Sequence, residues 1–555
     1  MKRIFLFLLI LCVCCNLTAQ KQYLNISSLS AFEKETIDSI SYTKEHGDAK
    51  SVLNEVKLFS EKILQAGYIE SFIETNQKIN DSTFLYQFKL EKKTTALHIY
   101  VSSKSIYKNL LSPDGKTDTL KLPLNKVASF LEQSLSQLEK KGFALSKIRL
   151  VNFEKKEKKL FAELSIQIEK RRNLDDIVIN GYKKFPESHR HQLKRIYKKK
   201  VFNQENLKNV YSDIEKFRFV KQVKYPEILF STDSTKVYCY IEKSKANTFD
   251  GFIGFSNNES QDVTINGYLD LVLNNLLNSG ETLSLNWKSD GNDQKTFNAS
   301  IELPYIFKSP FGLKAQLNIF KQDSTFQNTK TALDLGYFFD YNTRMYLGYQ
   351  SSESSDIQNQ NSFSISDFTN AFVTSQFEFV HFKSDEFLFP EKTKIDLKAG
   401  VGSRRSKLNK NDQVFFNFNV KHTFFLNSKN NIQLKSQNYY LNSDLYIINE
   451  LYRFGGINSI RGFNENSLQA NLFTSLLSEY RYVVAPNLYV HSIIDYGYFN
   501  DETSKNKGNL VSAGFGFGLA TKNGLFNIVY ANGSTKEQEI KGSNSIVHLS
   551  FKTQF

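Results

Sequence analysis

The stretch Lys394-Ile395-Asp396-Leu397-Lys398-Ala399-Gly400-Val401 alternates polar or small residues with apolar ones without a break. Successive side chains of a β-strand point to opposite faces, so Ile395, Leu397, Ala399 and Val401 share one face and the charged residues share the other. A strand apolar on one side and charged on the other separates two environments, and lipid outside with a wet lumen inside is such a pair. The same pattern recurs on both flanks. Leu283, Leu285 and Trp287 stand against Ser284, Asn286 and Lys288, and Phe416, Phe418 and Val420 against Asn417, Asn419 and Lys421. Between Thr248 and Phe555 about sixteen such stretches follow one another. They begin near Phe249, Val263, Leu283, Phe297, Phe311, Thr329, Thr343, Ala371, Thr393, Val414, Asn431, Leu472, Leu488, Leu510, Leu525 and Ser545. An even count is what a bacterial transmembrane barrel requires, and it returns both barrel ends to one side. Turns after even-numbered strands are mostly short, as at Asn278-Ser279-Gly280, Ala485-Pro486-Asn487 and Lys522-Asn523-Gly524. Several after odd-numbered strands are long, as between Gln350 and Ala371. The expected fold is membrane all-β, a 16-stranded transmembrane β-barrel over residues 246–555.

Composition agrees with this reading. The 555 residues include 48 Phe and 28 Tyr, yet mean hydropathy is -0.40 and 23% of residues are charged. A helical membrane protein would not look like this, whereas a transmembrane barrel would, because only every second strand residue faces lipid. After residue 20 there is no apolar run of the roughly 18 residues a helical span needs. The net charge of +14 comes from Lys and Arg spread along the chain, not gathered into a stripe, which argues against a nucleic-acid partner. Residues 1–20 read as a signal peptide: Lys2 and Arg3, then the apolar run Ile4 to Val13, then Leu17-Thr18-Ala19 as cleavage site. Val13 before Cys14, and Cys14 before Cys15, argue against a lipoprotein signal. Cys12, Cys14 and Cys15 would leave with the leader, so Cys239 would remain alone, without an internal disulfide or a cysteine metal site. No metal ligand set, nucleophile or phosphate loop stands out, and neither a cofactor nor an enzymatic activity is expected.

Upstream of the barrel one small unit repeats. Phe88-Lys89-Leu90-Glu91-Lys92, Ile166-Gln167-Ile168-Glu169-Lys170 and Cys239-Tyr240-Ile241-Glu242-Lys243 each close an alternating strand with Glu-Lys, at spacings of 78 and 73 residues. Each follows a helical pattern, Ser51 to Ala66, Leu124 to Lys140 and Glu205 to Lys216, that leads into Tyr68, Phe143 or Phe219. Gly67 and Gly142 precede the first two aromatics as helix C-terminal residues do, whereas Arg218 stands in the third copy. Each unit reads helix, strand, strand; in the third, the strand Ile177-Val178-Ile179 and a helix from Ser188 to Lys199 come first. The expected boundaries are 21–95, 96–172 and 173–245. On the extra helix His189 and His191 lie on different faces, which disfavours a metal site and reads as a solvated basic helix.

The longest connection in the second half runs from Tyr440 to Asn471 and contains Phe454-Gly455-Gly456-Ile457-Asn458-Ser459-Ile460-Arg461-Gly462-Phe463. Its glycines permit tight turning and close approach to a wall, and a lone Arg in such company needs a carboxylate if it is dehydrated. The motif Ile460-Arg461-Gly462-Phe463, with Gly455 and Gly456 before it, resembles the Val/Ile-Arg-Gly-Phe/Tyr motif in the sixth loop of the BamA/TamA family of outer-membrane assembly factors. The strand count puts it in the sixth outward loop here. Glu479-Tyr480-Arg481-Tyr482, Ile494-Asp495-Tyr496-Gly497 and Gly514-Phe515-Gly516 extend the likeness. The three N-terminal units resemble the family's POTRA domains, best in Ile177-Val178-Ile179-Asn180-Gly181, and the arm's size is nearer to TamA than to BamA.

The resemblance implies that Arg461 pairs with an acidic residue of the lumen wall, Asp495 first and Glu479 second. It implies that Phe551 and Phe555, on one face with Val547 and Leu549, form a C-terminal insertion signal. It implies a cell outer-membrane location with the N-terminal domains in the periplasm, where exposed strand edges could take up a client by β-augmentation. The function implied is assembly, insertion or translocation of polypeptides through a barrel seam. Its partners would be unfolded outer-membrane or secreted client polypeptides, outer-membrane lipid, and a further periplasmic or inner-membrane protein. A two-partner-secretion translocator shares the loop motif, and a passive outer-membrane channel shares the barrel. Both stand as alternatives.

Overall fold

A computed structural model of the chain describes residues 21–101, 118–156, 159–257, 263–289, 294–359, 362, 364–383, 386–407, 409–522, 524–535 and 545–555. The expected leader and Asn523 lie outside these residues. The chain divides into two compact units, one of the described residues up to Asn173 with Val201–Gln204, the other of Leu174–Lys200 with Glu205–Phe555.

The first unit holds two small α/β sheets. In one, Glu45–His46, Gln22–Ser27, Thr83–Lys89 and Phe72–Asn80 lie side by side in that order. Over it runs the helix Ala49–Gln65, which buries Val52, Val56, Phe59 and Ile63 at three-four spacing against Leu24, Ile26 and Phe88. The helix starts where the Asp48 carboxylate accepts the Ser51 N–H at 2.7 Å. It stops before Gly67, at φ +105°, where a Cβ would meet the Thr94 carbonyl at 2.5 Å. The other sheet orders Thr119–Pro123, Ala96–Tyr100, Lys159–Gln167 and Lys147–Lys156, with the helix Leu124–Lys140.

These units are not simply helix, strand, strand. In both sheets an opening strand pairs in parallel with the closing one, Leu24 opposite Phe84 and Leu97 opposite Leu160. The third copy does the same, with Ile177 opposite Val237 in the sheet Val220–Phe230, Thr235–Lys243, Asp176–Asn180. The opening strands of five or six residues bury too few alternating positions to stand out in the sequence.

In the second unit the third α/β domain is followed, after residues 244–247, by the barrel. Its two helices, Glu187–Tyr197 and Gln204–Glu215, bury Leu193, Tyr197, Leu207, Val210 and Ile214. The first of these helices corrects the reading of a solvated basic segment. His191 is exposed, but His189 is fully buried and edge-on to Phe217, Phe219 and Tyr305 at 5.0, 5.5 and 4.9 Å. Only one face of this helix is basic; His189 and Leu193, four residues apart, form the other.

The barrel is a closed cylinder of sixteen strands, each antiparallel to its neighbours. They begin at Thr248, Val263, Thr282, Gln294, Phe311, Phe326, Thr343, Phe368, Glu391, Lys410, Asn430, Leu472, Leu488, Asn506, Gly524 and Ser545. Each start is within about four residues of the position the alternation marks, inside the usual uncertainty of strand ends. Leu335, Leu347, Val373, Val401 and Ile494 point outward and exposed, as a lipid-facing wall requires. Asp334, Gln376 and Asp495 point in and are buried; Gln376 Nε2 donates to Asp396 at 2.8 Å within the sequence stretch that sets the pattern. Among the described residues no helix is long and apolar enough to cross a membrane.

Candidate functional site

The connection between the eleventh strand (Asn430–Ser443) and the twelfth (Leu472–Ala485) folds back into the cylinder. A short ribbon of Tyr452–Phe454 and Leu468–Ala470 lies along the wall. Tyr452 stacks on Tyr439 at 4.6 Å and Phe454 on Phe473 at 4.0 Å, which joins the ribbon to strands eleven and twelve. Beyond the ribbon Gly455 and Gly456 take φ of +108° and +95°, a left-handed region that only glycine enters without strain. A Cβ on Gly455 would lie 2.4 Å from the Asn464 carbonyl.

The turn they allow delivers Arg461 to the wall. Its Nε donates to Asp495 Oδ2 at 2.8 Å, its Nη2 to Oδ1 at 2.5 Å and its backbone N–H to Oδ2 at 3.1 Å. Nη1 donates to Glu479, and Nη2 also reaches the Ser478 carbonyl at 3.4 Å. Arg461 is 5% exposed and Asp495 not at all. This fork-to-carboxylate geometry is the strongest form of charge-assisted hydrogen bond. Glu479 holds a second cation as well, the Arg481 Nε at 2.7 Å. Two carboxylates thus face two guanidinium groups and the buried cluster is balanced in charge. Removing Arg461 alone would leave Glu479 on Arg481 but strand the Asp495 carboxylate, and breaking a buried pair in this way costs about 3–5 kcal/mol.

The neighbours of Arg461 fix the loop sterically. Ile460 is fully buried, and a Cβ on Gly497 of the thirteenth strand (Leu488–Asp501) would lie 3.1 Å from its Cδ1. Gly462, at φ +78°, lies against Gly533 of the fifteenth strand (Gly524–Ser534); a Cβ on Gly462 would fall 2.4 Å from the Gly533 nitrogen. A Cβ on Gly533 would in turn strike the Phe463 ring at 2.7 Å. The loop tip therefore touches strands twelve, thirteen and fifteen. Glu479 stands seven residues into its strand, about 23 Å along it at 3.3 Å per residue.

One junction of the cylinder differs from the rest. The first strand (Thr248–Asn257) meets the last (Ser545–Gln554) through three residue pairs: Thr248 with Gln554, Phe249 with Thr553 and Asp250 with Lys552. The ladder between the eighth and ninth strands runs from Phe368–Ser406 to Phe382–Glu391, along the whole of the eighth. Among the described residues the seam is thus joined only at the end where the chain enters. Thr553 Oγ1 donates to the Phe249 carbonyl at 3.0 Å, the Phe551 N–H to Asp250 Oδ1 at 3.2 Å and the Phe555 N–H to the Asn247 carbonyl at 3.0 Å. Phe551 and Phe555 are outward and exposed at this junction. Among the described residues the edge of the last strand from Ser545 to Ser550 has no ladder partner in the first.

Sequence reasoning nominated Arg461, Asp495 and Glu479, and the structure brings the three together. It did not single out Arg481, although the residue stands two places from Glu479 on the same strand face and so shares the lumen. Nothing in the sequence marked the short seam, which is a property of register.

No curated protein matches the chain at the level of sequence. A structure of CdiB from Escherichia coli is similar to it with a TM-score of 0.51 and 13% identity, covering 95% of this chain and 100% of that one. CdiB from Acinetobacter baumannii is similar with a TM-score of 0.50 and 14% identity, covering 91% and 98%. BamA from Haemophilus ducreyi lacking POTRA domains 1-3 aligns with a TM-score of 0.46 and 17% identity, covering 82% and 100%. The model of the Omp85 superfamily domain matches residues 275–553, which takes in the loop, its carboxylate partners and fourteen of the sixteen strands. The chain belongs to the Omp85 superfamily of outer-membrane β-barrel proteins.

Proposed function

We propose that this protein inserts client polypeptides into the outer membrane, the seam serving as the site where a client strand pairs, and that it does so without covalent chemistry. The observation that carries this reading is the seam itself, three residue pairs long where each other junction of the cylinder has eight or more. A strand edge facing hydrocarbon leaves peptide groups without partners, at several kcal/mol each. An incoming strand that pairs with that edge satisfies them and is itself carried into lipid. The Arg461 clamp holds the loop against the wall that ends in the last strand, so the edge is presented in one place. The N-terminal α/β domains, on the periplasmic side in this reading, capture unfolded clients, with boundaries near residues 95, 172 and 245. The C-terminal Phe551 and Phe555 serve the protein's own insertion.

The test is to tie the seam. Cα atoms of paired antiparallel residues lie about 4.5–5.5 Å apart, within reach of a disulfide, so Phe249→Cys with Thr553→Cys should cross-link. Oxidised cells should lose outer-membrane barrels and recover them on reduction; unchanged barrel levels with the cross-link formed refute the reading. A survey of the outer-membrane proteome on depletion separates the alternatives. Loss of many barrels supports insertion, loss of one secreted protein supports a two-partner translocator, and loss of solute flux alone supports a passive channel.

A further inference from the structure

The loop that carries Arg461 is also gripped at its base. Directly after the eleventh strand the turn Ile448–Glu450 places Glu450, 2% exposed, against Arg404, 1% exposed, near the end of the ninth strand (Glu391–Ser406). Gln413 Nε2, from the tenth strand, donates to the other Glu450 oxygen at 2.8 Å, and the Ile447 N–H donates to the carboxylate at 3.1 Å. The adjacent Asn449 is equally enclosed. Its Nδ2 donates to Ser354 Oγ at 2.7 Å and to the Ser366 carbonyl at 2.8 Å, and its own carbonyl accepts from Asn328 Nδ2 at 2.6 Å. The Ile448 N–H donates to the Ser364 carbonyl at 2.8 Å.

These partners lie on the sixth, seventh, ninth and tenth strands and on the connection before the eighth. In a cylinder of sixteen strands the ninth stands half a turn from the seam between the first and the last. The base of the loop is thus bonded to the wall facing the seam, and the tip, through Arg461 and Gly462, to the wall that leads to it. Between the two the loop crosses the bore, from its base at the rim that carries the connections after odd-numbered strands down to the level of Glu479. A cavity of about 300 Å³, lined in part by Lys330, Glu450 and Arg453, lies beside it.

A buried ion pair is a poor way to add stability, since well-packed apolar residues of the same volume do as well or better. What it secures is placement: each charge tolerates no position but the one opposite its partner. We propose that Arg404 and Glu450 form a latch that fixes the loop's base across this rim and keeps the bore closed to solutes there. The latch is separate from the Arg461 clamp and goes beyond the role in insertion, because rim closure concerns passage along the bore and not pairing at the seam. Both are positioning residues.

The test is conductance of the purified full chain in planar lipid bilayers, with Arg404→Met and Glu450→Gln. Losing a buried charge-assisted hydrogen bond should raise the population of open rims roughly ten- to a hundred-fold, with the heat-dependent gel shift of the folded barrel unchanged. Folded single variants that stay as closed as the parent overturn the proposal. If Arg404→Met gives no folded barrel, Arg404→Met combined with Glu450→Leu decides by the same readout, since it removes both charges of the latch and strands neither. An open rim then supports the latch and a closed one refutes it.

Discussion

Acid should loosen the third α/β domain ahead of the barrel, through His189. Its imidazole is surrounded by the rings of Phe185, Phe217, Phe219, Tyr305 and Tyr341. Burial among them holds its pKa down to about 3, from an ordinary 6.5. The unfolded domain takes up a proton below pH 6.5 and the folded one does not until about pH 3. Stability from the neutral ring is therefore fully present above pH 6.5 and is lost as pH falls through that window. At about pH 5, 1.5 units below the unfolded value, the loss is about 2 kcal/mol, or roughly thirty-fold more opening. Cys239 supplies the assay, because it lies buried in the central strand of this domain's sheet with a thiol pushed up to about 12. Labelling with a dithiodipyridine, which reacts in acid, and peptide mapping of the product would follow its exposure between about pH 7.5 and pH 5. His189→Phe keeps the packing and removes the titration, so its labelling rate should be flat once reagent effects are divided out. An equal acid response in parent and variant would refute the reasoning.

Other substitutions test the loop and the barrel end. Arg461→Ala should lower client-barrel levels in cells while the protein still reaches the membrane, at a cost of about 3–5 kcal/mol to the seated loop; immunoblots of both would show it, and normal client levels would count against the role. Gly533→Val should unseat the loop by striking Phe463 and the Gly462 carbonyl, with the same phenotype and the charged cluster intact; protease access to the loop in whole cells would report the displacement. Deleting Phe555 should slow the protein's own membrane insertion and leave the activity per inserted molecule unchanged, as pulse-chase fractionation would measure.

The barrel was legible because lipid on one side and water on the other impose a period of two that survives sequence drift, as between Lys394 and Val401. That Arg461 needs a carboxylate was legible because it stands among glycines and apolar residues, where an unpaired guanidinium is untenable; Asp495 and Glu479 came from the family resemblance of the loop motif. Other features left no such mark. The opening strands Gln22–Ser27 and Ala96–Tyr100 owe their place to parallel pairing with strands some sixty residues downstream, a tertiary fact. His189 is masked by its neighbours, since the charges on the outer face of Glu187–Tyr197 dominate any local average. Arg404 and Glu450 stand on different elements 46 residues apart and belong to no motif. The short seam depends on where two strands stop meeting, which no single strand records.

The connection from the third domain to the barrel is four residues long, 244–247, and at about 3.5 Å per residue it spans no more than about 14 Å. The Ser244 N–H is tied to the Phe219 carbonyl at 2.9 Å, and the Asn247 carbonyl holds the last residue of the chain. So short a tether transmits torque. A swing of the domain would pull on the first strand at the point where three residue pairs join it to the last, so the domain is placed as a lever arm on that joint.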